Sequence, residues 1–119
     1  MKNKILIYDD DEEILFLFKI ILSKYDYELK TMFHCDNILY DIETFNPHLI
    51  IMDLWIPVIG GEKTVEIIKH NEKTKNIPVI LCSANEDIIQ ICEKVNADGC
   101  IKKPFKVSDF IETVQKTIT

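Results

Sequence analysis

His48-Leu49-Ile50-Ile51-Met52-Asp53 is an unbroken apolar run that stops on an acid, and its reading decides the fold. A strand that is apolar at every position has no solvent face, so it must be covered on both sides, as a central strand of a parallel sheet is. Three more runs follow the same plan. Lys4-Ile5-Leu6-Ile7-Tyr8 leads into Asp9-Asp10, Pro78-Val79-Ile80-Leu81-Cys82 into Ser83-Ala84, and Gly99-Cys100-Ile101-Lys102 into Lys103-Pro104. Laid parallel in one sheet, all four endings fall at its carboxyl edge, where open α/β sheets bind ligands. Three acids gathered there repel one another unless a cation joins them, and a hard, all-oxygen site suits Mg²⁺. The pattern implies a small acidic metal pocket with a lysine at its rim.

Working outward, strands are predicted near 3–8, 27–32, 48–53, 77–82 and 98–102, and helices near 12–24, 36–45, 61–72, 86–95 and 107–118. Strict alternation of strand and helix argues an α/β fold with a parallel sheet covered on both faces. Punctuation agrees: Pro47 precedes the third strand, Gly60-Gly61 the third helix, and Pro78 opens the fourth strand. Asn96 is expected to end the fourth helix in the left-handed conformation, and Ser108-Asp109 to cap the last one. Residues 1–119 are read as one domain, without repeats or linkers.

The net charge of −6 and the scattered basic residues argue against direct nucleic-acid binding. Cys35, Cys82, Cys92 and Cys100 form no C-x-x-C pair and have no histidine at zinc spacing. Reduced core thiols are expected, with disulfides as the lesser alternative, and reduced thiols favour the cytoplasm. Neither a signal peptide nor a membrane span is read.

Asp9-Asp10 alone is weak, since acids after a strand often only open a helix; Asp11, Glu12 and Glu13 suit that role. Asp53 is stronger, because a carboxylate closing a buried strand is costly without a partner. Pro104 holds Lys103 extended, so that lysine is aimed. Ser83 offers a hydroxyl, and Ala84 a backbone N–H beside a small side chain that leaves room for an anion.

Together these residues resemble the receiver domain of two-component response regulators. The matching motifs are Ile-Tyr-Asp9-Asp10, Leu-Ile-Ile-Met-Asp53-Leu-Trp-Ile-Pro57 followed by Gly61, Ile-Pro-Val-Ile-Leu-Cys-Ser83-Ala84, and Ala-Asp-Gly-Cys-Ile-Lys-Lys103-Pro104-Phe105. The resemblance implies a flavodoxin-like, doubly wound sheet of five parallel strands in the order 2-1-3-4-5, with five helices. It implies that Asp53 accepts a phosphoryl group from a phosphohistidine on a histidine kinase or histidine phosphotransfer protein, and that a downstream protein reads the result. Asp9, Asp10, Asp53 and the backbone carbonyl of Trp55 would hold Mg²⁺, Ser83 would bond a phosphoryl oxygen, and Lys103 would pair with the phosphoryl group. Such a chain is a switch that assists only its own phosphorylation and dephosphorylation; the alternative is a receiver excised from a hybrid histidine kinase or multidomain regulator. One departure stands out. The family usually carries Tyr, Phe or His on the fifth strand where this chain has Cys100, which puts signalling through the usual aromatic rotamer in question.

Two readings from other classes compete. A haloacid-dehalogenase-type phosphatase wants a second Asp two residues past the nucleophile, where Trp55 stands, and a flavodoxin-type FMN binder wants a hydroxyl- and glycine-rich loop where Asp9-Asp10-Asp11 stands. Outside the motifs, His34, His48 and His70 are read as solvated or hydrogen-bonded, and Phe105 as packing. Trp55 is read either as a cover over Asp53 or as an exposed loop aromatic. The third helix's Glu62, Lys63, Glu66 and Lys69 are expected to pair within the helix at i,i+3 spacing. Ile14, Leu17, Phe18, Ile21 and Leu22 are predicted as the buried stripe of the first helix. That leaves Leu15, Phe16 and Ile20 outside it as a candidate docking patch.

Overall fold

Strands β1 (Asn3–Tyr8), β2 (Tyr27–Met32), β3 (Leu49–Asp53), β4 (Val79–Ser83) and β5 (Gly99–Lys102) alternate with helices α1 (Glu12–Leu22), α2 (Ile38–Phe45), α3 (Gly61–Lys69), α4 (Ile88–Val95) and α5 (Val107–Ile118). The structure, a computed structural model, describes residues 2–56 and 60–118; Pro57 of the third-strand motif lies outside the described residues. All five strands are parallel in one sheet of order β2-β1-β3-β4-β5. The fold expected from the sequence is the one observed.

The register aligns the site. Tyr8 pairs with Met52, so Asp9 and Asp53 leave the sheet side by side, while Asp53 pairs with Cys82 and Ser83 with Lys102. β3 and β4 are buried along their whole length, as their continuous apolar runs require. Alternate residues feed two cores. Leu6, Tyr8, Ile50, Met52, Val79 and Leu81 face α2, α3 and α4, whereas Ile5, Ile7, Leu49, Ile51, Ile80 and Cys82 face α1 and α5.

Several sequence expectations shift. In α1 the buried residues are Leu15, Phe18, Ile21 and Leu22; Ile14 is half-buried and Leu17 is exposed. From Ile14 to Leu22 every residue but Lys19 is apolar, so periodicity alone leaves the phase of the helix open. Its partner sets it: the Phe18 ring stacks on Phe110 of α5 at 4.8 Å and on Phe105 at 5.9 Å. Phe105 is therefore packing, as expected. Ser108 and Asp109 lie inside the first turn of α5, not before it, since the Phe110 N–H already bonds back to the Lys106 carbonyl. The charges of α3 reach outward instead of pairing along the helix. Glu62 meets Lys94 of α4 at 2.9 Å and Lys69 meets Asp98 at 2.7 Å. Asn96 adopts the left-handed conformation as expected, and Asn46 ends α2 in the same way.

Gly60-Gly61 has a reason beyond turning the chain. Gly60 has a positive φ of 83° with open space around it, while a Cβ on Gly61 would lie 2.3 Å from the Asp53 carbonyl oxygen. The start of α3 thus rests directly on the backbone that carries Asp53. Gly61→Ala is expected to lower stability by about 1–3 kcal/mol, the range for overpacking a tight site, as read from urea denaturation, whereas the same test on surface Lys63→Ala should show almost no loss.

Candidate functional site

Asp9 follows β1, and its carboxylate is fixed from both sides. Oδ1 accepts the Asp11 N–H at 2.9 Å, and Oδ2 accepts from Lys103 Nζ at 3.0 Å. Asp11 then serves as the N-cap of α1, accepting the Glu13 N–H at 2.9 Å, so the acidic run does open the helix as well as form the pocket. Asp53 ends β3, and its Oδ1 lies 3.2 Å from the same Lys103 ammonium. Asp9 and Asp53 are only 1% and 5% exposed, whereas Asp10 is open to solvent. The oxygens of Asp9, Asp10 and Asp53 come within 4.8 Å of one another. The expected acidic cluster is thus assembled, with one open side.

Lys103 sits deeper than the rim position expected of it. Its N–H bonds to the Ser83 carbonyl at 2.8 Å, which locks the end of β5 to β4, and its side chain reaches inward between Asp9 and Asp53. The Lys103–Pro104 peptide is cis. Ser83 is fully buried at the last position of β4, one residue further along the strand than the sequence reading, and its Oγ accepts the Asn85 N–H at 3.0 Å. Ala84 is exposed directly beyond it. Trp55 is exposed as well and lines a groove with Glu62, Lys63 and Glu66 of α3 and Ile91 of α4. Of the two readings of Trp55, the exposed loop aromatic is the one observed.

Burial raises the pKa of Asp53, and the neighbouring Asp9 charge raises it further, while Lys103 pulls it down without cancelling the rise. Lys103 feels the converse. Burial lowers its pKa, but the hydrogen bond to Asp9 and the charges around it outweigh that, and the net shift is upward. The lysine is firmly charged, and the acid beside it is costly to ionise until more positive charge arrives. Three convergent carboxylates with an open face offer a hard oxygen donor set, which fits a divalent cation such as Mg²⁺.

The sequence reading missed the supports. Asp11 on Asp9 and Asn85 on Ser83 are i,i+2 turns, visible in the sequence only as polar residues at short spacing. It also missed the buried Tyr8 hydroxyl, which donates to buried Asp41 at 2.6 Å and has its pKa raised by burial and by that bond.

Residues 5–115 match the family described as the response regulator receiver domain. The chain belongs to that family. As a receiver domain it is a phosphoacceptor signalling module of two-component systems. It is 28% identical to the transcriptional regulatory protein CpxR homolog of Haemophilus influenzae over 95% of this chain, but spans only about half (49%) of that relative's length. It is also 28% identical to the polar-differentiation response regulator DivK of Brucella ovis, over 97% of this chain and 95% of DivK. In three dimensions it superposes on the chemotaxis response regulator CheY4 of Vibrio cholerae with a TM-score of 0.88 at 24% identity, covering 98% and 99% of the two chains.

The pH dependence of this receiver follows from Asp53. A carboxyl whose folded pKa is raised holds its proton more tightly when folded, so its contribution to stability is greatest at low pH. That contribution is lost as pH rises from the ordinary carboxylate range, about 4, through the raised value. Asp53→Asn should therefore raise the melting temperature of the metal-free protein at pH 7, with the gain shrinking to nothing near pH 3.5–4, roughly the ordinary carboxylate range. A variant less stable than wild type at every pH would overturn this account of Asp53.

Proposed function

We propose that residues 1–119 form one receiver domain in which Asp53 accepts a phosphoryl group from a phosphohistidine on a histidine kinase or histidine phosphotransfer protein. The observation carrying this is the convergence of Asp9, Asp10 and Asp53 within 4.8 Å of one another, with the Lys103 ammonium bonded to Asp9 and Asp53. A carboxylate is a poor nucleophile toward an anion until positive charge cancels the repulsion. Asp9, Asp10 and Asp53, with the Trp55 backbone carbonyl, would hold Mg²⁺, whose charge offsets that of the incoming phosphoryl oxygens. One Asp53 oxygen attacks phosphorus as the phosphorus–nitrogen bond breaks, and the leaving imidazole keeps the electron pair and takes up a proton. Lys103 exchanges its bond to Asp53 for one to a phosphoryl oxygen. The Ser83 hydroxyl, which spends only its acceptor side on Asn85, donates to another, and the Ala84 N–H completes the cradle.

This domain is a switch, assisting its own phosphorylation and dephosphorylation and turning over no other substrate. Its four free thiols favour a reducing compartment, hence the cytoplasm, and among the described residues no helix is long and apolar enough to cross a membrane. Phosphorylation shifts a two-state surface that a downstream protein reads. Acetyl phosphate is expected to label wild-type protein in the presence of Mg²⁺ and not in the presence of EDTA. Asp53→Asn should abolish the label and Asp10→Asn should weaken metal binding sharply. Undiminished labelling of Asp53→Asn would remove the assignment.

The protein donor is proposed to dock on α1. Phe16, Leu17 and Ile20 are 64%, 39% and 48% exposed on α1, the helix that begins just beyond the Asp9-Asp10 loop. Leu15, which the sequence reading placed in this patch, belongs to the core, and Leu17 takes its place. Apolar contacts here would supply affinity that one acidic surface cannot offer another. Truncating one such anchor typically costs about 1–2 kcal/mol or more of binding. Phe16→Ala should slow transfer from the protein donor roughly tenfold, the equivalent of ~1.4 kcal/mol, and leave acetyl phosphate labelling unchanged; equal slowing with both donors would contradict a docking role.

A further inference from the structure

Cys92 on α4 and Cys100 on β5 are neighbours, and neither belongs to the acidic cluster. Cys100 pairs in register with Leu81, so its side chain faces the α3–α4 side of the sheet. Cys92 turns toward the same place from the helix. Its Sγ lies 3.7 Å from the carbonyl oxygen of Gly99, the residue directly before Cys100, and both side chains belong to one apolar cluster. Both are free thiols.

The two thiols differ in a way that suits sequential oxidation. Cys92 is buried, and burial together with the adjacent Cys100 thiol pushes its pKa up to about 12, so at neutral pH it keeps its proton. Cys100, on the edge strand, is half-buried, so it is the more accessible of the two. The other two cysteines are placed elsewhere. Cys35 sits against the Thr64 hydroxyl at 3.2 Å, and Cys82 faces the opposite core.

We propose that Cys92 and Cys100 form a thiol–disulfide redox site, in which a peroxide oxidises Cys100 and Cys92 resolves it into a bond tying α4 to β5. The Cys100 thiolate attacks one peroxide oxygen and the oxygen–oxygen bond breaks. Hydroxide leaves and is protonated to water, so sulfur is oxidised by two electrons to a sulfenic acid. The Cys92 sulfur then attacks the sulfenic sulfur, the sulfur–oxygen bond breaks, and the hydroxyl departs as water with the Cys92 proton. Two thiols and one hydrogen peroxide thus become one disulfide and two waters. Cys92 on the helix and Cys100 on the strand beneath it face one another, the arrangement that a disulfide between the two elements requires. The bond would hold α4 against the edge strand.

The test treats the folded wild-type protein with hydrogen peroxide, then alkylates remaining thiols in denaturant and digests with trypsin. The expected product is peptide 76–94, which carries Cys82 and Cys92, joined to peptide 95–102, which carries Cys100. Fragment ions should place the link at Cys92, dithiothreitol should reverse it, and Cys35 and Cys82 should be alkylated. Cys92→Ala should leave a Cys100 sulfenic acid that dimedone traps, and Cys100→Ala should leave Cys92 reduced. A link through Cys82, a link between two chains, or Cys100 driven to higher oxides with Cys92 still alkylated would each overturn the proposal. The wild-type result decides the matter without either variant.

Discussion

One ammonium group between two buried carboxylates holds the active edge of this receiver together. Lys103 Nζ lies 3.0 Å from Asp9 and 3.2 Å from Asp53, and neither acid is open to water. Buried like charges on adjacent strands are unfavourable unless opposite charge lies within bonding reach, and removing such a partner costs far more than the pair itself contributes. The lysine follows β5, two places from β3 and three from β1 in the sheet, so the contact can form only when β1, β3, β4 and β5 are all in register. Electrostatic balance at the site and correct assembly of the sheet are therefore the same event.

That balance is deliberately incomplete. Asp9 and Asp53 share one ammonium with Asp10 close by, and burial together with the Asp9 charge keeps the Asp53 pKa raised. A site in this condition favours the arrival of further positive charge and responds when an anion joins it, because each newcomer changes which bonds Lys103 can make. The surrounding backbone is rigid enough to make the response local. Gly61 rests on the Asp53 carbonyl, the Leu54 N–H bonds to the Cys82 carbonyl, and the Lys103 N–H bonds to the Ser83 carbonyl. The loop beyond Ser83 leads from this fixed backbone into α4, the element whose Cys92 neighbours Cys100.

The outer surface divides by chemistry. On α3 and its neighbours, charges are tied into pairs that cross between elements, Glu62 with Lys94 and Lys69 with Asp98. On α1, the helix that starts after the Asp9-Asp10 loop, Phe16, Leu17 and Ile20 stay exposed with only Lys19 among them. An apolar face next to an acidic cleft suits a partner that must bring its own charged group close without relying on charge attraction for affinity.

Much of this was legible in the chain. Unbroken apolar runs demanded buried parallel strands, and an acid, an acid, a hydroxyl and a lysine at their ends had to meet wherever the strands shared an edge; Asp9, Asp10, Asp53, Ser83 and Lys103 were named on that ground. What sequence could not decide were matters of phase and distance. In α1 nearly every position is apolar, so whether Leu15 or Leu17 faced inward depended on where Phe105 and Phe110 stood. The depth of Lys103 depended on β5 docking against β4, and the partners of Glu62 and Lys69 on how closely α4 and β5 approach α3. Local pattern specifies which side chains need burial or a partner. Only packing chooses among the partners, because that choice is made across elements distant in sequence and turns on separations of a few ångströms.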